Sequence, residues 1–394
     1  MIFVIVNKNI KIKMSKIIFV NDPAATEGGA LTILKQFLDS IELYSDKDYL
    51  YYVFCSIPEL KVFENEQIRI INDIKAKKWL ERIKWDLWGL KKWSKKNNIK
   101  ADLIISFQNT GVKYFKETPQ IIYFHQSLSV YDEYHWHFFN KEERIYWFYQ
   151  KIYPLLIKFS LPSNFYIITQ TETIKKKLQQ ELKINENRIV VIAPNFNNID
   201  IDINSIPSID FNDKKFHIFY PASTVLYKNH EVIIKALKYI KDNSPDVFKN
   251  LQVHFTFDNS TARNLKLIRL MNDLKIKNAI KLEGKLPYDK VLSFYKSCDL
   301  VVFPSYLESF PLPLIETALF GLPILVSDLE FSWEIIANYE GAQFIDYRNE
   351  KEWAQKIIEA YYQKKRFPSY LPSFNTNWQT FFELINKLLI KNYI

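Results

Sequence analysis

Short apolar runs alternate along this chain with longer amphipathic stretches, and that alternation predicts its architecture. Lys16–Val20, Tyr51–Phe54, Ile68–Ile71, Leu103–Ile105, Ile121–Phe124, Tyr166–Thr169 and Ile189–Ile192 are short and mostly apolar, as strands buried on both faces are. Helical patterns fill most of the gaps. In one of them Leu31, Leu34, Phe37, Leu38 and Ile41 share a face. Strand and helix alternating at this spacing predicts a parallel, doubly wound α/β domain. A second series opens at Phe216–Tyr220 and continues through Val253–Phe257, Ala279–Glu283, Leu300–Phe303 and Ile324–Val326. Between the two series Pro194-Asn195 closes the first, and the polar, strand-poor run Asn197–Asp213 reads as a linker. The pattern therefore divides into domains at 14–196 and 214–372, with linker 197–213 and a last helical pattern in 376–394. Met14 stands just before the first strand, so residues 1–13 read as an upstream extension.

Composition narrows the class. With 394 residues the chain has room for two cores, and 48% hydrophobic against 25% charged residues describes an ordinary globular protein. No apolar run reaches the roughly 18 residues a membrane span needs, and Met1–Val6 is too short for a signal-peptide core. Cys55 and Cys298 form no paired motif, which fits a reducing cytoplasm. A net charge of +9 gives a lysine-rich surface and admits acidic partners such as anionic lipid, nucleotide diphosphates or nucleic acid. Glycine is scarce, seven in all, so each position carries information: Gly28, Gly29, Gly284 and Gly321 fall at loop or helix-end positions, while Gly89, Gly111 and Gly341 have no assigned role.

Chemistry concentrates in Ser305–Pro323. Pro311 and Pro313 suit a loop running into the first turn of a helix, and Gly321 suits its end. Glu308 before that helix and Glu316 within it would face the carboxyl edge of the sheet, where open α/β sheets bind ligands. A carboxylate accepts from paired hydroxyls, which suits a ribose or a sugar; two solvated surface acids are the plainer alternative. Gly28-Gly29 follow the first strand, where backbone N–H groups can approach a phosphate or sugar. His125 ends another strand at the same kind of edge. Lys228 lies in the loop before a helix beginning at Glu231. Residues 75–100 read as a basic helix, with Trp79, Leu80, Ile83, Leu87 and Leu90 on its core face. Trp85 and Trp88 then share the outer face with Lys84, Lys91, Lys92 and Lys95, the pattern of a helix on an anionic membrane surface or simply a solvated one. The aromatics of 131–166 suit helix core, with an excess that suits a sugar groove or a lipid carrier. His125, His135 and His137 are spaced for no compact metal site.

The segment Ser305–Pro323 resembles the Glu-x7-Glu signature of the retaining glycosyltransferases of family 4, and the likeness extends more loosely from about Lys16 to the C-terminus. The resemblance implies the GT-B architecture: two Rossmann-like doubly wound domains facing a central cleft, with a C-terminal helix crossing back to the first. It implies transfer of a sugar from a nucleoside-diphosphate sugar to a hydroxyl of a glycan or lipid-linked glycan, with retention, without a metal or other cofactor, in bacterial surface-polysaccharide or glycoconjugate assembly. The catalytic group it indicates is His125, Lys228 and Glu308. Donor contacts would come from Gly28, Gly29, Ser223, Lys228, the base-binding loop Gly284-Lys285-Leu286, Glu308-Ser309-Phe310-Pro311-Leu312 and Glu316. Ser223 stands where the family often carries an arginine, and a hydroxyl adds no charge there. The expected setting is cytoplasmic, peripheral to the inner membrane face, with no nucleic-acid partner. Two other classes fit less well: a GT-B-like sugar-nucleotide epimerase, which needs no acceptor, and a non-catalytic glycan- or nucleic-acid-binding protein, which needs a continuous basic groove.

Overall fold

A computed structural model describes residues 15–26, 28–72, 74, 76, 79–115, 117–194, 202–374 and 377–390. The N-terminal extension 1–13, residues 195–201 of the interdomain region and the last residues of the 376–394 helix lie outside them.

Two parallel sheets form. The first contains β1 (Lys16–Asn21), β2 (Tyr49–Phe54), β3 (Ile68–Ile71), β4 (Leu103–Ser106), β5 (Gln120–Phe124), β6 (Phe165–Thr169) and β7 (Ile189–Val191) in the order β3-β2-β1-β4-β5-β6-β7. The second contains β8 (Phe216–Tyr220), β9 (Leu251–Phe255), β10 (Ile280–Leu282), β11 (Leu300–Phe303), β12 (Ile324–Ser327) and β13 (Ala342–Ile345) in the order β10-β9-β8-β11-β12-β13. Burial explains the apolar runs: all of β4, β5, β8, β9, β11 and β12 is inaccessible to solvent. Each sheet reverses its winding once, between β1 and β4 and between β8 and β11. Those reversals open crevices at the carboxyl edges, and the candidate loops leave from them.

β9 begins two residues before the expected run and ends at Phe255, because Phe257 has left the sheet to accept from the amide of Gly284 at 3.3 Å. β13 was not among the expected strands; its half-buried edge lacks an apolar run. The expected linker is no free connector over its described part. Ile206 is buried, and Ile203, Ile209 and Phe211 pack on the same second-domain cluster.

Several contacts tie the two domains among the described residues. Helix Trp378–Ile390 leaves the second domain and packs on the first, where Phe382 stacks on Phe37 at 5.5 Å. The Glu334 carboxylate of the second domain accepts from the amides of Glu172 (2.6 Å) and Thr173 (2.9 Å), which open helix Glu172–Leu182 in the first. A carboxylate there satisfies orphan donors and meets the positive helix end. Glu142 of the first domain pairs with Arg263 (3.3 Å) and Lys266 (3.0 Å) of the second.

The basic segment differs from its expected form. Helix Trp79–Lys84 widens into a π turn at Trp85–Gly89 before helix Leu90–Asn97. Gly89 permits this, since a Cβ there would lie 2.4 Å from the Trp85 ring. The wide turn rotates Trp85 inward, where its Nε1 donates to Asn21 Oδ1 at 2.8 Å. Only Trp88, 47% exposed, keeps the outer face, with Lys84, Lys92 and Lys95. The side chains of Trp79 and Leu80 lie outside the described set.

Gly321 carries the tightest demand on a small residue. Its φ is +67°, and an added Cβ would sit 2.2 Å from the Phe367 carbonyl oxygen. Gly321→Ala is therefore expected to destabilise the fold by more than about 2 kcal/mol in urea unfolding. Gly29→Ala, whose Cβ would meet nothing within 4 Å, is expected to stay within about 0.5 kcal/mol.

Candidate functional site

Lys228 and Glu308 lie 80 residues apart in sequence and form an ion pair in space. The sheet order brings them together: the loop after β8 carries Lys228, the loop after β11 carries Glu308, and those strands flank the winding reversal. Side-chain exposures of 17% and 12% make the pair largely desolvated. The two loops are knitted by backbone. Tyr306 N donates to Tyr227 O at 2.9 Å, and Tyr220 Oη donates to Lys228 O at 2.6 Å. Asn229, left-handed at φ +56°, donates to the carbonyls of Pro304 (3.2 Å) and Tyr347 (2.7 Å). Beneath the ammonium lies the ring of Phe303, 5.3 Å from Nζ.

Helix Leu312–Leu319 follows, with Pro313 in its first turn. Glu316 points inward from it and is buried. Tyr288 Oη donates to Oε1 at 2.8 Å and Tyr295 Oη to Oε2 at 3.1 Å, while burial holds the carboxyl above its usual range. Tyr288 itself is 53% exposed, so its hydroxyl is the one of the two that a ligand at the surface can replace. These two tyrosines are a feature the sequence reading missed; their spacing of seven on one helix face was the available signal.

A cavity of about 130 Å³ joins the two domains. Gly29 and His125 line it from the first domain; Ser309, Phe310 and Leu312 line it from the second. Gly28 stands beside it, exposed, at the start of helix Gly28–Tyr44 with φ +66°. Burial, and then the Arg82 charge, lowers the His125 pKa to about 4, so the ring is neutral at pH 7 with no partner for Nδ1 among the described residues. Pro311 caps the helix start from the same loop. The remaining candidates sit apart from this cavity. Ser223 is exposed in the β8 loop, Gly284 turns with φ +70° after β10, Lys285 is exposed and Leu286 is half-buried against the second-domain core. Among the described residues, no three His, Cys, Asp or Glu side chains converge to hold a metal ion, and no helix is long and apolar enough to cross a membrane.

Behind the first-domain edge lies a second feature that motif reading missed. Asp86, buried in the π turn, accepts from Asn21 Nδ2 (2.9 Å), Gln108 Nε2 (3.1 Å) and Thr110 Oγ1 (3.3 Å). Burial nevertheless raises its pKa to about 6 against those hydrogen bonds and the nearby Arg82. Asp22, next to β1, is also held well above the ordinary carboxylate range by burial.

Comparison with known proteins fits this geometry. Residues 202–368 match the family described as glycosyl transferases group 1. The O-antigen chain mannosyltransferase RfbU of Salmonella typhimurium is 24% identical over 53% of this chain and 55% of its own. Across the first curated relatives the match spans between 34% and 55% of their lengths. A glycosyltransferase from Rickettsia africae superposes with a TM-score of 0.62 at 16% identity, covering 96% of this chain and 94% of that one. Anabaena HepE, solved with UDP and glucose, gives 0.62 at 16% identity over 96% of this chain and 100% of that one. The fold is GT-B.

The Asp86 environment sets a pH dependence. The unfolded chain releases this proton near the ordinary 3.8 and the folded chain only near 6, so the folded state holds the extra proton between them. Stability should therefore fall as pH rises through that window, by about 3 kcal/mol from this group. Asp86→Asn, whose amide can also donate to the unpartnered Gln108 Oε1, is expected to flatten the decline in urea titrations between pH 4 and 6.

Proposed function

We propose that this protein is a retaining glycosyltransferase that moves a sugar from a nucleoside-diphosphate sugar to a hydroxyl of a glycan or lipid-linked glycan, without a metal, in bacterial surface-polysaccharide or glycoconjugate assembly. The observation that carries this reading is the Lys228–Glu308 pair at the winding reversal of the second sheet, with Glu308 next in sequence to Ser309, which lines one cavity with Gly29 and His125 of the first domain. It lies inside the matched segment 202–368. The mannosyltransferase relative and the UDP- and glucose-bound neighbour support the donor class.

In the reaction the bond from the anomeric carbon to the diphosphate breaks and its electron pair leaves with the phosphate. The acceptor oxygen bonds to that carbon on the same face, and its proton passes to the departing phosphate oxygen. Lys228, the start of helix Leu312–Leu319 and the amides at Gly28-Gly29 meet the developing negative charge. Glu308 is released from Lys228 as the ammonium turns to phosphate, and it then accepts from donor-sugar hydroxyls. Glu316 accepts from the ribose once Tyr288 withdraws. His125, neutral, contacts the sugar near its reacting carbon, and the Gly284–Leu286 loop receives the base. Ser223 supplies one hydrogen bond where relatives often have a charge, so Lys228 carries more of the diphosphate here. Trp88 and the exposed Lys84, Lys92 and Lys95 form the face that rests on anionic lipid at the inner membrane surface.

Thermal shift with UDP, GDP, dTDP, ADP and CMP tests the donor site. One nucleotide should raise the melting temperature, and Lys228→Ala should weaken it at least about tenfold, the scale of a lost charge-assisted hydrogen bond. Binding by none of the five, or binding indifferent to Lys228→Ala, contradicts the reading. Consumption of a sugar nucleotide without any acceptor, giving an isomerised sugar nucleotide, would move it to an epimerase.

A further inference from the structure

A second cavity of about 420 Å³ lies between the domains, apart from the cleft just described. One wall belongs to the first domain, at Tyr134, Trp136 and Asn140. The other belongs to the second, at Leu226, Asn229, Tyr306 and Tyr347. Neither Lys228 nor Glu308 lines it, nor do His125, the paired glycines or Glu316. Leu226 and Asn229 flank Lys228, however, and Tyr306 stands two residues before Glu308. The cavity thus lies against the backs of the two loops that carry the ion pair.

Its lining has an unusual combination. Four rings run across it as a ribbon: Trp136 to Tyr134 at 4.6 Å between centroids, Tyr134 to Tyr306 at 5.5 Å and Tyr306 to Tyr347 at 5.0 Å. Trp136 and Tyr306 are buried, while Tyr134 and Tyr347 remain half-exposed and offer ring surface. Charges are balanced, with four carboxylates against four cations, and the central ones neutralise each other. Arg263 pairs with both Glu231 and Glu142, and Glu142 also holds Lys266. The lining has no net formal charge to favour an anion or a cation overall, and an apolar chain would strand these polar groups. Aromatic faces beside amides, carboxylates and guanidinium groups are what a neutral polyol needs: ring surface for its C–H faces and both donors and acceptors for its hydroxyls.

We propose that this cavity binds a neutral oligosaccharide, a stretch of glycan held at a second site by both domains. The chemical class comes from the lining alone; the glycan's source, the chain being extended, rests on the sugar-transfer reading. Occupancy braces the loops of Lys228 and Glu308 through Leu226, Asn229 and Tyr306.

The test is binding of maltotriose, mannotriose and galactotriose by isothermal titration, with and without the nucleotides UDP and GDP. Two variants accompany it: Tyr347→Ala, which removes an open ring, and Lys235→Trp, which fills the mouth from an exposed helix position. At least one trisaccharide should bind, nucleotide should not displace it, and each variant should weaken it about tenfold while nucleotide binding is kept. Binding of none, binding untouched by both variants, or displacement by nucleotide overturns the proposal. If nucleotides bind and trisaccharides do not, the second site fails alone. If trisaccharides bind here and none of the five nucleotides raises the melting temperature, the donor reading fails and this site stands.

Discussion

The Lys228–Glu308 ion pair is the constraint on which the second domain's loops depend. Both side chains are largely withdrawn from water, and each is the other's ion-pair partner. Their meeting requires the winding reversal between β8 and β11, which delivers the two loops to the same crevice. It also requires the backbone ties around Tyr227 and Asn229 that fix the loops to each other. Removing one partner leaves the other in place without its ion-pair partner, so the pair has a structural role whatever it binds.

The same logic recurs at Glu316. Its two oxygens are satisfied by tyrosine hydroxyls while no ligand is present. The site is thus internally paired, and on the proposed reading a nucleotide sugar would enter by exchange: phosphate for Glu308 on the ammonium, ribose for Tyr288 on the carboxylate. On that reading the ammonium keeps a charged partner, while Glu308 trades its cation for sugar hydroxyls. His125, kept neutral by burial, adds no charge to that balance.

Much of this was legible in the chain. The alternating runs predicted two parallel sheets, and Glu308, Glu316, Lys228, Gly28, Gly29 and His125 were placed in the loops and helix starts beyond strand ends, where such sheets hold ligands. What escaped had physical reasons. Trp85 was placed on the outer face by a 3.6-residue repeat, and the π turn that Gly89 allows breaks that repeat. Asp86, carried in the same turn, belonged to no motif. The Glu334 cap on helix Glu172–Leu182 joins residues 162 apart, beyond any local pattern. The second cavity is likewise assembled from both domains, and no single segment announces it.

The central claim is that donor phosphate takes Lys228 from Glu308. A crystal structure with the nucleoside diphosphate that raises the melting temperature tests it most directly. The account predicts Lys228 Nζ on a phosphate oxygen, Glu308 turned toward the sugar position and a ribose hydroxyl in place of Tyr288 on Glu316. A nucleotide bound elsewhere, or bound with the Lys228–Glu308 pair intact, would contradict it.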